Sequence, residues 1–193
     1  MKVHPRTTTF KNSYEDKNSY EELFRKSREA SRRKESEDQM EFEMVIQDPT
    51  EMKKLARKLL ENFTPPVVFI LIGDLGAGKT TLVKACAEEL GTEARSPSFS
   101  IMNEYRTSHP LIKKIIHMDL YRLNGTEDVE LLDPDYEIEE NTIVFVEWGE
   151  KLPSDVFEGI KKVVCRIERL KSENAESNTG DVPEPRRIIC ESI

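Results

Sequence analysis

The chain has 193 residues and a formal net charge of −8 at pH 7, from 29 Lys or Arg and 37 Asp or Glu side chains. Its length suits one domain with extensions, and its negative charge argues against a protein that binds nucleic-acid backbones broadly. No apolar run reaches the roughly 18 residues of a membrane span, and the N-terminus lacks the apolar core of a signal peptide. The three cysteines show no metal-binding spacing, and Cys86 and Cys165 are predicted to be buried thiols. We therefore expect a protein of the reducing cytoplasm with no membrane contact.

Both ends of the chain are polar. Residues 1–40 hold few large apolar side chains, so they cannot bury a core and are predicted to form a flexible N-terminal extension. Residues 171–193 are predicted to form a polar C-terminal tail, in which Ile188 and Ile189 could add a short edge strand. The folded domain is therefore expected over residues 41–170.

The domain begins with a predicted strand and an amphipathic helix. Apolar residues alternate with polar ones at Phe42, Met44 and Ile46, which is typical of a half-exposed strand. Asp48 then supplies a helix N-cap, with a proline in the first turn. Apolar positions spaced three and four residues apart define the buried face of the helix: Met52, Leu55, Ala56, Leu59 and Leu60.

A phosphate-binding loop follows. Residues 73–80 read Gly-Asp-Leu-Gly-Ala-Gly-Lys-Thr, which fits the pattern G-x-x-x-x-G-K-[ST]. An apolar run over residues 67–72 predicts a buried parallel strand before the loop, and apolar positions over residues 79–90 predict a helix after it. This order places phosphates at a helix N-terminus. We expect Lys79 to reach the β- and γ-phosphates, Thr80 to ligate Mg²⁺, and the Lys79 ammonium to be solvated without nucleotide.

Four further strands complete the predicted sheet. They cover residues 99–106, 115–121, 142–148 and 163–170, and the last alternates in the manner of an edge strand. No helical pattern separates the first two, so we expect them to pair antiparallel. The fold class is therefore an α/β, P-loop NTPase-type three-layer domain whose mixed sheet has a parallel centre and antiparallel additions.

Two predicted strands end in carboxylates. Glu147 closes the apolar run Ile-Val-Phe-Val, and Asp119 closes Ile-Ile-His-Met. The carboxyl ends of parallel strands meet at the edge that carries the phosphate loop, so both acids can face one Mg²⁺ or orient the attacking water. The alternative for each is an ordinary surface carboxylate at a strand end.

Three other features have less specific signals. The small hydroxyls beside Pro97 in Ser96-Pro97-Ser98-Phe99 could close over the γ-phosphate as a switch segment, although an ordinary turn explains this stretch better when it is taken alone. Trp148, the only tryptophan, can stack on a nucleobase, with core packing as an equal alternative. His117 is expected to pack or hydrogen-bond within the sheet rather than to act as a base.

Four segments together resemble the TsaE family, the ATPase component of bacterial tRNA threonylcarbamoyladenosine synthesis. They are Gly-Asp-Leu-Gly-Ala-Gly-Lys-Thr-Thr (73–81), Ser-Pro-Ser-Phe (96–99), His-Met-Asp-Leu-Tyr-Arg-Leu (117–123) and Val-Glu-Trp-Gly-Glu-Lys-Leu (146–152). The resemblance spans about residues 41–170. It departs from the family at Ser98, where the usual residue is Thr, and in both polar extensions.

The resemblance implies that the chain binds ATP and Mg²⁺ and hydrolyses ATP in support of the TsaD–TsaB pair, which modifies the tRNA adenosine beside the anticodon. It implies contact with tRNA only through those partners, and weak or no activity alone. By position, the implied catalytic residues are Lys79, Asp119 and Glu147, and the implied metal ligands are Thr80, Glu147 and Asp119. The implied nucleotide contacts are Thr50, Asp74, Leu75, Gly76, Ala77, Gly78, Lys79, Thr80, Thr81 and Trp148.

A small P-loop kinase acting on a small-molecule or nucleoside acceptor is the main alternative. Such enzymes usually carry an Arg-rich lid, whereas the only arginines between Lys79 and Asp119 are Arg95 and Arg106. A regulatory GTPase would normally show an N-K-x-D motif, and no Asn in this chain is followed by Lys. A non-hydrolysing ATP-binding scaffold stays open at this point.

Overall fold

The computed structural model describes residues 41–97, 100–123, 128–129, 138–170 and 184–193. The predicted N-terminal extension, Ser98 and Phe99, and most of the predicted tail lie outside the described residues. The described strands are β1 (Glu41–Ile46), β2 (Val67–Ile72), β3 (Met102–Arg106), β4 (Lys114–Asp119), β5 (Thr142–Glu147), β6 (Lys161–Arg169) and β7 (Arg186–Ser192). The α-helices with described bounds are α1 (Pro49–Asn62) and α2 (Lys79–Glu89), and short 3₁₀ turns cover Leu120–Arg122 and Gly149–Lys151.

The strands form one mixed sheet in the order β1-β7-β6-β2-β5-β4-β3. Its centre is parallel, because β2 pairs in parallel with both β5 and β6, and β5 pairs in parallel with β4. At one side β3 pairs antiparallel with β4, and at the other β7 pairs antiparallel with both β6 and β1. The predicted α/β fold class, the mixed sheet and the antiparallel pairing of β3 with β4 are therefore confirmed.

The two helices belong to the apolar core on one side of the sheet. Helix α1 begins at the predicted cap, where Asp48 accepts a hydrogen bond from the Glu51 amide at 2.9 Å. Five apolar side chains of α1 are buried: Met52, Leu55, Ala56, Leu59 and Leu60. They pack in one cluster with buried residues of α2 and with Phe69 and Phe145, whose rings stack 5.1 Å apart. Neither described helix is long and apolar enough to cross a membrane.

A second apolar cluster lies on the other side of the central strands. It includes Val68 of β2, Val144 and Val146 of β5 and Met118 of β4. Phe157, which is completely buried, belongs to this cluster and comes from the irregular segment before β6. Alternating side chains of the central strands are thus buried on both sides, as a parallel sheet requires.

Strands β6 and β7 differ from their predictions. We predicted β6 as an edge strand, but it lies between β2 and β7. The predicted polar tail is wrong for residues 186–192, because β7 lies inside the sheet between β6 and β1 rather than at an edge. The sheet ends instead at β1 and β3. The pairing of β7 joins segments that are far apart in sequence, so no local pattern reveals it.

The cysteines also differ in part from prediction. Cys86 is free and completely buried in α2, as expected, and burial raises the pKa of its thiol. Cys165 of β6 stands opposite Cys190 of β7 and forms a disulfide with it. The prediction of a free Cys165 thiol is therefore wrong, and the cysteines no longer support the expectation of a reducing compartment.

Candidate functional site

The phosphate loop connects β2 to α2 in the predicted order. Gly78 has a φ of 115° and precedes the first helical residue, Lys79. Gly73 has a φ of 155°, and a Cβ there would collide with the backbone carbonyl of Ile167 in β6. Glycine is needed at both positions because a side chain would be strained or blocked. The loop therefore lies directly against the neighbouring parallel strand.

The Lys79 side chain is folded back into the loop. Its ammonium donates to the carbonyl oxygens of Gly73 at 2.5 Å and Asp74 at 2.9 Å. The Trp148 ring lies 3.8 Å from the same nitrogen, and Lys79 is only 4% exposed. Burial lowers the pKa of Lys79, against the opposing effect of nearby carboxylates, Glu147 first. The expectation that Lys79 is solvated without nucleotide is wrong, because loop carbonyls and an indole face replace water around it.

The two predicted acids stand side by side at the end of the sheet. Asp119 and Glu147 are opposite each other in the parallel pairing of β4 with β5. Glu147 is 3% exposed, and its Oε2 accepts a hydrogen bond from the Thr80 hydroxyl at 2.9 Å. Asp119 accepts from the Tyr121 amide at 3.1 Å, which caps the 3₁₀ turn after β4. The fold thus brings the loop hydroxyl and both carboxylates to one place.

One groove collects most of the predicted site. It has a volume of about 250 Å³, and we call it the smaller groove because another groove, described below, is larger. It is lined by Leu75, Gly76, Ala77, Gly78, Lys79, Thr80, Thr81, Ser96, Asp119, Tyr121, Glu147 and Trp148. Asp74 lines a larger groove of about 670 Å³ beside β6 instead. Thr50 lines neither groove and is exposed in the first turn of α1, so its nucleotide contact stays a prediction.

Trp148 and Tyr121 form an aromatic wall of the smaller groove. Their ring centroids are 4.9 Å apart, and Trp148 has a left-handed backbone with φ of 59°. Tyr121 is 51% exposed, whereas Trp148 is partly buried. No sequence pattern singled out Tyr121, although it directly follows the Asp119-Leu120 pair. Stacking of Trp148 on a nucleobase stays a prediction.

Two arginines that no sequence pattern assigned to the site hold the loop from the β6 side. Arg169, at the end of β6, donates to the Leu75 carbonyl at 3.2 Å. Arg186, at the start of β7, donates through Nε to the Ala77 carbonyl at 2.8 Å. Their contacts follow from the positions of β6 and β7 within the sheet, which the sequence pattern did not reveal.

The donor set of the smaller groove fits Mg²⁺. The ion prefers hard oxygen ligands and commonly takes one or two carboxylates, with phosphate and water completing its shell. Thr80, Glu147 and Asp119 offer a hydroxyl and two carboxylates at the helix N-terminus. The described residues contain no cluster of three or more His, Cys, Asp or Glu suited to a metal. The protein would therefore supply only part of the shell.

The family model described as "Threonylcarbamoyl adenosine biosynthesis protein TsaE" matches residues 46–178. The chain belongs to the TsaE family. Similar proteins named tRNA threonylcarbamoyladenosine biosynthesis protein TsaE include that of Synechocystis, 38% identical over 61% of this chain and 75% of the relative. The Bacillus subtilis protein of that name is 30% identical over 76% of this chain and 89% of the relative.

The fold is also similar to a solved structure. The crystal structure of Bacillus subtilis YdiB matches with a TM-score of 0.54 and 29% identity, over 82% of this chain and 89% of that one. The matched family region contains β2 through β6 and ends before β7 begins. Arg186 thus contacts the phosphate loop from beyond the region that the TsaE model matches in this chain.

Proposed function

We propose that this chain binds ATP with Mg²⁺ and hydrolyses ATP in support of tRNA threonylcarbamoyladenosine synthesis, together with TsaD and TsaB. The names of its relatives support the pathway. The observation that supports the chemistry best is the hydrogen bond between Thr80 and Glu147 at the N-terminus of α2. That bond brings together a loop hydroxyl and a buried strand-end carboxylate, the two kinds of side chain that hold Mg²⁺ in P-loop NTPases.

In this proposal the loop binds the phosphates through its backbone N–H groups and Lys79. The first amides of α2 have no helical acceptors of their own, and the helix dipole favours negative charge at that end. The Lys79 ammonium already lies among the loop residues, held by the carbonyls of Gly73 and Asp74. Phosphate oxygens would replace one or both of those carbonyls as hydrogen-bond acceptors of Lys79, and the Trp148 ring would shift to make room for them.

Thr80, Glu147 and Asp119 would hold Mg²⁺. When bound, the ion neutralises negative charge on the phosphate oxygens as the terminal phosphoryl group is transferred. Of the two acids, the one less engaged with the ion would accept a hydrogen bond from the attacking water and orient it. Glu147 is buried and doubly hydrogen-bonded, whereas Asp119 is half-buried. We therefore assign the metal mainly to Glu147 and the water mainly to Asp119.

Dependence on partners follows from the shortage of positive charge at the site. Among the described residues that line the smaller groove, only Lys79 is cationic. An arginine that stabilises the transition state is worth about 10³- to 10⁵-fold in rate. We propose that hydrolysis is weak for the chain alone and that docking to TsaD and TsaB completes the site. The net charge of −8 suits contact with tRNA through those partners in the cytoplasm rather than directly.

Reconstitution tests the function. Purified chain, TsaD, TsaB, tRNA, the threonylcarbamoyl donor and ATP are combined, and modified adenosine is counted per TsaD molecule. We expect several rounds of modification with the chain and about one without it. Equal yields in both would contradict the proposal. Family membership gives no support to the kinase alternative, which predicts instead that ADP release rises with a small hydroxyl acceptor.

A further inference from the structure

His117 is a polar side chain in an otherwise apolar stretch of β4. It is completely buried, and so are its neighbours Ile115, Ile116 and Met118 to within 1%. Burying a polar ring without a partner costs free energy that an apolar residue would not. The presence of an imidazole at this position therefore requires an explanation from its contacts.

The contact that explains it is made with Glu147. The imidazole Nε2 lies 2.8 Å from Oε1 of Glu147, while Oε2 of the same carboxylate accepts from Thr80. A carboxylate only accepts, so the proton of this hydrogen bond belongs to Nε2. One oxygen of Glu147 is thus held from β4 and the other from α2, and the carboxylate cannot turn without breaking one of the two bonds.

The second ring nitrogen has no comparable contact. Nδ1 of His117 is buried and has no hydrogen-bond partner within the described part of the chain. An unpartnered buried polar atom is unfavourable by about 1–3 kcal/mol in general. Packing alone would favour an apolar residue at this position. The hydrogen bond from Nε2 to Glu147 is therefore the feature of the described structure that explains the imidazole.

We propose that His117 is the positioning residue of Glu147 and holds its carboxylate toward the Mg²⁺ site. This inference rests on the proposed function of the same site. When Thr80 turns from Glu147 to the ion, the His117 bond remains and keeps Oε2 directed at the smaller groove. Residues that orient a metal ligand in this way typically contribute about 10- to 100-fold to metal affinity.

Three variants separate positioning from packing. His117→Gln places an amide donor at the same number of bonds from Cβ as Nε2, so it can restore the hydrogen bond. His117→Met fills similar space without a donor, and His117→Asn carries its donor one bond too close to the backbone. All three are made in the full chain, and thermal melting without nucleotide reports on the packing of the ring.

The measurement is the affinity for a fluorescent ATP analogue, titrated with Mg²⁺ and without partner proteins. We expect all variants to bind the analogue within about twofold of wild type when Mg²⁺ is absent. The Mg²⁺ concentration that gives half of its full effect on the affinity for the analogue should rise about 10-fold in His117→Met and His117→Asn. In His117→Gln the same concentration should stay within about threefold of wild type. Wild-type Mg²⁺ dependence in His117→Met would overturn the proposal, as would equal losses in His117→Met and His117→Gln.

The same data distinguish this inference from the proposed function. Positioning is read from nucleotide and Mg²⁺ binding, and it can succeed even if the wild-type chain fails to stimulate tRNA modification. Conversely, a chain that supports TsaD and TsaB through many turnovers, and whose His117→Met variant keeps the wild-type Mg²⁺ dependence, would uphold the function and overturn the role of His117.

Discussion

The parallel centre of the sheet and its β6–β7 half differ in composition. The parallel centre, β2, β5 and β4, consists of largely apolar runs that end in the phosphate loop or in a carboxylate. The β6–β7 half contains strands with many charged residues, and its last strand follows a polar stretch. Both halves nevertheless touch the phosphate loop. The comparison shows that a functional loop can depend on a strand that has no strong signal of its own.

Deleting β7 is expected to have the largest effect. Removal of residues 186–193 takes away the pairing partner of β1 and one of the two partners of β6. It also removes Ile188 and Cys190, both completely buried. A fully buried Ile side chain contributes about 1.5–3 kcal/mol, against a total stability of about 5–15 kcal/mol for a typical domain. We expect the truncated chain to lose cooperative thermal unfolding, measured by circular dichroism. A truncated chain with the wild-type melting temperature would show that β7 is dispensable.

Replacing Lys79 tests the central half. Lys79→Met keeps the length of the side chain and removes the charge that is proposed to contact phosphate. We expect nucleotide affinity to fall about 10- to 100-fold, the loss of a charge-assisted hydrogen bond worth about 1.5–3 kcal/mol. Lys84→Met, at an exposed position of the same helix, is the matched control and should bind normally.

Equilibrium binding with a fluorescent ATP analogue measures both lysine variants. Because Lys79 is buried against loop carbonyls, melting of the nucleotide-free protein must accompany the binding data. Wild-type affinity in Lys79→Met would remove the loop from the proposed site.

Adjacent arginines of β7 allow a test of the connection between the two halves. Arg186→Met removes the bond to the Ala77 carbonyl, whereas Arg187→Met removes an exposed pair with Glu43 at 2.7 Å. We expect nucleotide affinity to fall about 3- to 10-fold in Arg186→Met, since a hydrogen bond contributes about 0.5–1.5 kcal/mol net. Arg187→Met should bind as wild type. Isothermal titration with ATP compares the two, and equal affinities would mean that β7 does not support the loop.

Removing residues 1–40 is expected to have the smallest effect. That segment has few large apolar side chains and cannot add much to the core. We expect the melting temperature and ATP affinity to stay close to those of the full chain. A large drop in melting temperature would show that side chains such as Leu23 and Phe24 dock on the domain.

Much of the site was predictable because its signals are local. The loop pattern, the preceding apolar run and the strand-end acids each occupy a few consecutive residues, and the rule for parallel strands brings Asp119 and Glu147 together. The capping residue Asp48 and the buried face of α1 were likewise visible in one short segment.

What could not be predicted depends on contacts between distant segments. The β7 pairing, the Cys165–Cys190 bond and the Arg186 contact all follow from one long-range pairing. The burial of Lys79 likewise depends on a distant segment, because Trp148, which directly follows β5, covers its ammonium group. Local patterns report the periodicity of a strand but not which strand will lie beside it.

The most direct test of the account is ATP hydrolysis by wild type and Glu147→Gln, each alone and with TsaD and TsaB. The substitution keeps the size of the side chain and removes the charge proposed to hold Mg²⁺. We predict slow hydrolysis alone, clear stimulation of wild type by the partners, and a loss of about 10²-fold or more in Glu147→Gln, equivalent to about 3 kcal/mol. Asp119→Asn should lose a similar or smaller factor. Partner-stimulated hydrolysis at the wild-type rate in Glu147→Gln would contradict the catalytic assignment of this strand-end carboxylate.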